Sequence, residues 1–69
     1  MITLKINGED KIFQDAVPQT LKNLLQMLNV DEATVVAEVD GQIISRDNFH
    51  KTILKDRHKI ELVRFVGGG

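Results

Sequence analysis

Two glycine turns, each set between β-rich runs, constrain this chain more than any other feature. Asn7-Gly8 follows Ile2-Thr3-Leu4-Lys5-Ile6, in which apolar and polar residues alternate. Alternation of that kind gives a strand one apolar face. Asn-Gly tolerates the positive φ that a two-residue reversal requires at both central positions. A two-residue turn sets Phe13 across the hairpin from Ile2 on the same face and points Ile12 the other way; a three-residue turn reverses that choice. Asp40-Gly41 repeats the signal between the β-rich residues 34–39 and Gln42-Ile43-Ile44. The framework is therefore two antiparallel hairpins.

Between the hairpins the periodicity changes. Pro18 has no amide proton to give to a sheet, and Thr20 is a suitable helix N-cap. Leu21, Leu24, Leu25 and Leu28 then recur at helical spacing. This predicts a helix over 21–28, stopped by Asn29. Lys22 lies unfavourably in its first turn, against the helix dipole. The leucine stripe needs an apolar surface, and the sheet is the one on offer. Phe49 and Ile53, four residues apart, suit a short helical turn against the core edge. Asp56-Arg57-His58 reads as a polar turn. Residues 59–66 form the last strand, with Ile60 and Leu62 facing the helix and Val63 and Phe65 facing away. Hairpin, helix, hairpin, turn and strand together predict an α+β chain: a β-grasp, with a mixed sheet of four to five strands packed on one helix. The crossover is expected to be right-handed, with the first and last strands parallel at the sheet centre.

At 69 residues the chain is one small domain. Residues 1–66 are assigned to the β-grasp domain and 67–69 to a flexible glycine tail. An apolar fraction of 42% and a charged fraction of 28% are those of a globular protein. The absence of cysteine rules out disulfides, thiolate metal sites and a cysteine nucleophile, and it fits a reducing, cytoplasmic compartment. Nine basic residues against ten acidic ones give no electrostatic case for nucleic acid or an anionic membrane. No run approaches the roughly 20 apolar residues of a membrane span, and the start lacks a signal-peptide pattern.

Catalytic chemistry finds little to work with. Ser45 has no flanking nucleophile-elbow glycines. His50 and His58 are expected at the surface, and a zinc site would need carboxylates to complete it. Glu9-Asp10 and Asp31-Glu32 sit in expected loops as solvated turn residues. The glycines fall in two turns and the tail, so no phosphate-cradling loop exists. With no Trp or Tyr and three Phe, stacking platforms for single strands are poor. The tail is different. Gly67-Gly68-Gly69 carries no Cβ atoms, is expected to be flexible, and would span about 10 Å when extended. It is slim enough for a channel that admits backbone alone, and it ends in an unhindered carboxylate. Activation of that carboxylate as an acyl-adenylate requires an ATP-binding partner. Terminal glycines also occur as frayed ends. Here they follow a predicted central strand, and the two signals are independent.

In these features the chain resembles the ThiS family of sulfur carrier proteins, which are ubiquitin-like β-grasp domains. The resemblance covers essentially the whole chain. It rests on the opening strand with Asn7-Gly8, on Thr20-Leu21 and Leu24-Leu25, and on Val39-Asp40-Gly41-Gln42-Ile43-Ile44 followed by Arg46. It continues through Phe49 and Leu54-Lys55-Asp56 and closes on Val66-Gly67-Gly68-Gly69. The terminal Gly-Gly is also shared with other sulfur carriers such as MoaD. The resemblance implies that Gly69 is adenylated by a ThiF-like adenylyltransferase using ATP and magnesium, with no cofactor held by this chain. A sulfur-donating enzyme then supplies sulfur for a thiocarboxylate, which the carrier delivers to a ThiG-like thiazole synthase for the thiazole ring of thiamine. Gly68, and less specifically Gly67, would thread into the partner. On this reading the chain is a protein co-substrate and not an enzyme. Two positions depart from the family pattern. Ser45 stands where proline is common, and Arg57 stands where the family's Asp-Gly-Asp turn has glycine. If that glycine holds positive φ, Arg57 bears a cost of about 1 kcal/mol or the turn differs.

Val63 and Phe65 are the expected docking residues, an apolar patch beside the reactive tail. The alternative is that residues 46–55 fold over them. Two other functions stay open at this stage: a carrier for molybdopterin or another sulfur-requiring pathway, and a ubiquitin-like interaction module whose glycines are never modified.

Overall fold

The computed structural model describes residues 1–65. Five strands and one α-helix follow in the order β1 (Ile2–Ile6), β2 (Glu9–Phe13), α1 (Leu21–Met27), β3 (Val35–Val39), β4 (Gln42–Ile44) and β5 (Lys59–Arg64). They form one mixed sheet in the spatial order β2-β1-β5-β3-β4, with β1 and β5 parallel and every other pair antiparallel. This is the expected β-grasp, with the last strand at the sheet centre.

Both glycine turns reverse in two residues. Asn7 and Gly8 have φ of 50° and 83°, and Asp40 and Gly41 have 50° and 85°, the left-handed pair that suits the twist of a tight hairpin. Ile2 therefore stands opposite Phe13, and Ile12 faces away from the core. Glu9 and Asp10 are not loop residues as expected. They open β2 opposite Ile6 and Lys5, and Asp10 lies 3.6 Å from the Lys5 ammonium.

The helix is capped at both ends by local chemistry. Thr20 Oγ1 accepts the Asn23 amide at 3.1 Å, and Asn23 Oδ1 accepts the Thr20 amide at 3.3 Å. This is a capping box with Asn in place of the usual Glu or Gln. Asn29, at φ 58°, ends the helix. Its amide donates to the Gln26 carbonyl and the Val30 amide to the Leu25 carbonyl, which together make a Schellman motif. Leu21, Leu24 and Leu25 are buried against Leu4, Ala37 and Ile60 of the three central strands. That clustering joins the leucine stripe to the apolar sheet face.

The stretch 46–55 differs from expectation at one residue. Phe49 is buried, but Ile53 is 58% exposed and Leu54 takes the core position. A 3₁₀ turn, Arg46–Asn48, runs on through turn residues 49–51, where the Thr52 amide returns to the Asn48 carbonyl at 3.0 Å, and the chain extends only from Thr52, bridging Thr20 at Ile53. In extended backbone neighbouring side chains point to opposite sides, so Ile53 turns out where Leu54 turns in. The helix explains why the chain runs there. The Leu21 and Lys22 amides, which no helical carbonyl can reach, donate to Thr52 and Phe49 carbonyls at 3.0 and 3.1 Å.

Arg57 has φ 74°, so the left-handed turn survives without glycine. Its amide donates to the Thr3 carbonyl at 2.7 Å, while the Asp56 carboxylate accepts the Thr3 amide at 2.7 Å. Those two bonds tie the turn to β1 and hold Arg57 in a conformation that costs an L-residue roughly 1–2 kcal/mol. Glycine loses more backbone entropy on folding, which offsets part of the gain. Arg57→Gly is expected to stabilise the fold by about 0.5–1 kcal/mol and raise Tm by about 2–8 °C in a calorimetric scan. An unchanged or lower Tm would show that the turn stores no strain.

Candidate functional site

β5 carries the chain toward Gly67, Gly68 and Gly69, so the site begins with what fixes β5. On one side it pairs with β3 along its length, from Val39 opposite Ile60 to Val35 opposite Arg64. The Phe65 amide extends that ladder to the Thr34 carbonyl at 3.1 Å. On the other side the β1 register ends at Ile6 opposite Ile60, because β1 turns away at Asn7. The Asn7 side chain takes over there. Its Oδ1 accepts the Leu62 amide at 2.7 Å and its Nδ2 donates to the Leu62 carbonyl at 3.2 Å. One residue thus supplies the positive φ of the hairpin and a side-chain rung for the strand. Sequence reasoning found only the first role, since nothing local reveals a partner 55 positions away.

Val63 and Phe65 lie on the sheet face away from α1, 58% and 45% exposed. Residues 46–55 do not close over them. Val36 stands opposite Val63, and Ile43 stands opposite Glu38, two residues along β3 from Val36. Both are exposed, at 42% and 73%. Four apolar side chains from three adjacent strands therefore run diagonally across this face, with Glu38 and Glu61 beside Ile43. Sequence reading missed Val36 and Ile43, although the two-residue period of β3 points Val36 away from the buried Val35, Ala37 and Val39. The sequence-assigned residues Gly67, Gly68 and Gly69 lie outside the described residues, as does the last residue of the assigned domain, Val66.

The remaining polar candidates have structural work. His58 Nδ1 accepts the Lys55 amide at 3.0 Å, and its Nε2 lies 3.7 Å from an Asp40 oxygen. The other Asp40 oxygen accepts the Lys59 amide at 2.8 Å. His50 is exposed, and Asp31 caps the 3₁₀ turn Glu32–Thr34 by accepting the Ala33 amide. Ser45 has φ −72°, within the range that proline imposes, so the departure there is neutral for the backbone. Its hydroxyl accepts from Asn48 Nδ2 at 3.0 Å. Among the described residues no three His, Asp or Glu side chains converge to hold a metal ion, and no helix is long and apolar enough to cross a membrane. An open hollow of about 220 Å³ is walled by Lys22, Leu25, Gln26, Val30, Asp31 and Glu32. β5 contributes nothing to it.

Comparison with known proteins places these features. The family model described as "ThiS family" matches residues 3–69, a span that includes the terminal glycines. The sulfur carrier protein ThiS of Bacillus subtilis is 35% identical over 66 residues, which cover 96% of this chain and 98% of that protein. A thiazole synthase of Paramagnetospirillum magneticum is also 35% identical over 66 residues, covering 96% of this chain but 20% of that protein. Among solved structures, the thiamine biosynthesis protein ThiS of Geobacter metallireducens superposes with a TM-score of 0.83 at 32% identity. That match covers 99% of this chain and 100% of the other.

Proposed function

The chain belongs to the ThiS family of sulfur carriers, and we propose that it works as a protein co-substrate whose reactive group is the Gly69 carboxylate. The carrying observation is that the family match extends from residue 3 through Gly69. The glycines are thus part of what makes the chain similar to its relatives. The fold supplies the rest of the reasoning. β5 is held on both sides up to Leu62 and on the β3 side to Phe65, so the domain is a rigid handle that aims whatever follows it.

The chemistry follows from what a carboxylate lacks. It is a poor electrophile, and an adjoining phosphate leaving group corrects this. In the proposed sequence a Gly69 carboxylate oxygen attacks the α-phosphorus of ATP on a ThiF-like adenylyltransferase, and pyrophosphate leaves. Magnesium on that enzyme would offset the charge on the phosphates. A sulfide-level nucleophile from a sulfur-donating enzyme then attacks the acyl carbon and expels AMP, leaving a thiocarboxylate. Glycines at 67 and 68 place no Cβ in the path of either attack.

Delivery to a ThiG-like thiazole synthase, for thiamine, is the favoured destination. The Paramagnetospirillum thiazole synthase supports it, since one fifth of that protein's length is similar to nearly all of this chain. Tethering a carrier to its acceptor raises the effective concentration of one at the other. Val63, Phe65, Val36 and Ile43 are proposed to dock the partners.

Intact-mass measurement tests the reading. Incubated with a ThiF-like enzyme, ATP and magnesium, the chain is expected to gain one AMP. With a sulfur donor added, it is expected to exchange one oxygen for sulfur. A chain that binds the enzyme yet never changes mass is an interaction module and not a carrier.

A further inference from the structure

We propose that the β1-facing edge of β5 at Arg64 is the first rung of a β-ladder to which the adenylating partner adds an extended segment of its own main chain. The inference rests on the carrier reading above and names how the partner holds the strand.

Hydrogen-bond alternation along β5 carries it. The Phe65 amide donates to the Thr34 carbonyl, and Lys59 exchanges bonds with Asp40 through its carbonyl and amide. The odd residues of β5 thus turn their backbone groups to β3. The even residues turn theirs to β1. The Ile60 carbonyl accepts the Asn7 amide at 2.9 Å, and Leu62 gives its amide and carbonyl to the Asn7 side chain. Arg64 comes next on that edge, past the point where β1 has turned away. Among the described residues its amide and carbonyl take no protein partner, in a strand at the centre of the sheet. Unpaired edges of this kind template the addition of another strand.

The occupant follows from the residues beyond. Gly67, Gly68 and Gly69 offer a partner no side chains, so a protein that grips them has amides to grip and little else. Extended main chain is the complement of such a segment. The open rung at Arg64 carries the same pairing into the folded domain and is continuous with the proposed docking residues Val63 and Phe65 on either side of it. Arg64 itself is exposed and makes no ion pair within 4 Å among the described residues.

The test separates the amide of residue 64 from its side chain. Semisynthetic chain with an ester in place of the Val63–Arg64 amide lacks that N–H and keeps the Val63 carbonyl as a weaker acceptor on the β3 side, so a calorimetric scan of the free chain separates any loss of stability from the loss of the rung. With a ThiF-like enzyme, ATP and magnesium, its KM as protein substrate is expected to rise about tenfold with kcat unchanged, as for one lost hydrogen bond. Arg64→Pro is expected to give the same result or a larger one, since its ring also blocks the edge. Arg64→Ala should stay within about twofold of the parent chain. An ester chain with the parent KM overturns the proposal whatever Arg64→Pro does, and so does an Arg64→Ala chain that loses as much as the ester. Failure of the parent chain to take AMP overturns the carrier reading, and this inference with it. AMP transfer to the parent and the ester chain with equal KM overturns the inference alone.

Discussion

A chain lacking Gly69 is expected to take no AMP and carry no sulfur, while its thermal unfolding stays where it was. One residue of extended backbone spans about 3.3–3.6 Å. Reacting atoms must come within about 3–3.5 Å in line, and a 1 Å misplacement already costs roughly 10²-fold. Pulling the carboxylate back by a whole residue therefore removes the reaction from the measurable range in a single-turnover assay. Adding one bulky residue after Gly69 is expected to do the same, because it moves the carboxylate forward and places a Cβ in the slim path. The pairing of β5 described above ends at Phe65, so both variants should keep Tm within about 2 °C of the parent. Adenylation of the truncated chain would remove Gly69 from the chemistry. A large fall in Tm would make the tail part of the packed domain.

The proposed contrast between a stable handle and a reactive tail also sorts what could be read in the sequence. The hairpins were legible because Asn-Gly and Asp-Gly have few other uses between alternating apolar residues. Their φ values at Asn7, Gly8, Asp40 and Gly41 express that preference directly. The helix was legible from its leucine spacing and Thr20. The stretch 46–55 was not. Phe49 and Ile53 have helical spacing, but the helical turn ends at Lys51, and the backbone is extended from Thr52, whose carbonyl takes the Leu21 amide. The period then changes from 3.6 to 2, and Leu54 displaces Ile53. The polar turn around Arg57 kept its left-handed backbone although glycine is absent, since Thr3 fixes it through two bonds that no local pattern encodes. At the proposed docking face, Val63 and Phe65 were visible as alternate residues of a strand. Val36 and Ile43 join them only through cross-strand register. The Asn7 rung on Leu62 is likewise a product of topology.

Phe65→Asp should weaken binding to an adenylating partner by about 30-fold or more and leave the domain folded. The argument turns on which face of the sheet a side chain occupies. Phe65 and Val63 look away from α1 and are about half open to solvent, so a carboxylate at 65 stays hydrated in the free protein. Its cost to the fold is bounded by the roughly 1 kcal/mol span of strand preferences, or at most about 8 °C in Tm. In a complex the same carboxylate is trapped against apolar surface, where central interface residues are worth about 2 kcal/mol or more. Ile43→Asp, from the edge strand β4, should act in the same direction because it belongs to the same patch and not to the core. Phe49→Ala is the opposite case. Phe49 is 2% exposed, and its loss opens a cavity worth about 3–5 kcal/mol, much of the roughly 3.5–10 kcal/mol that a domain of this length commands. Calorimetry on the free proteins and titration against a ThiF-like enzyme would distinguish the two. Full affinity in both Phe65→Asp and Ile43→Asp would show that partners do not use this face, and wholesale unfolding of Phe65→Asp would return the residue to the core.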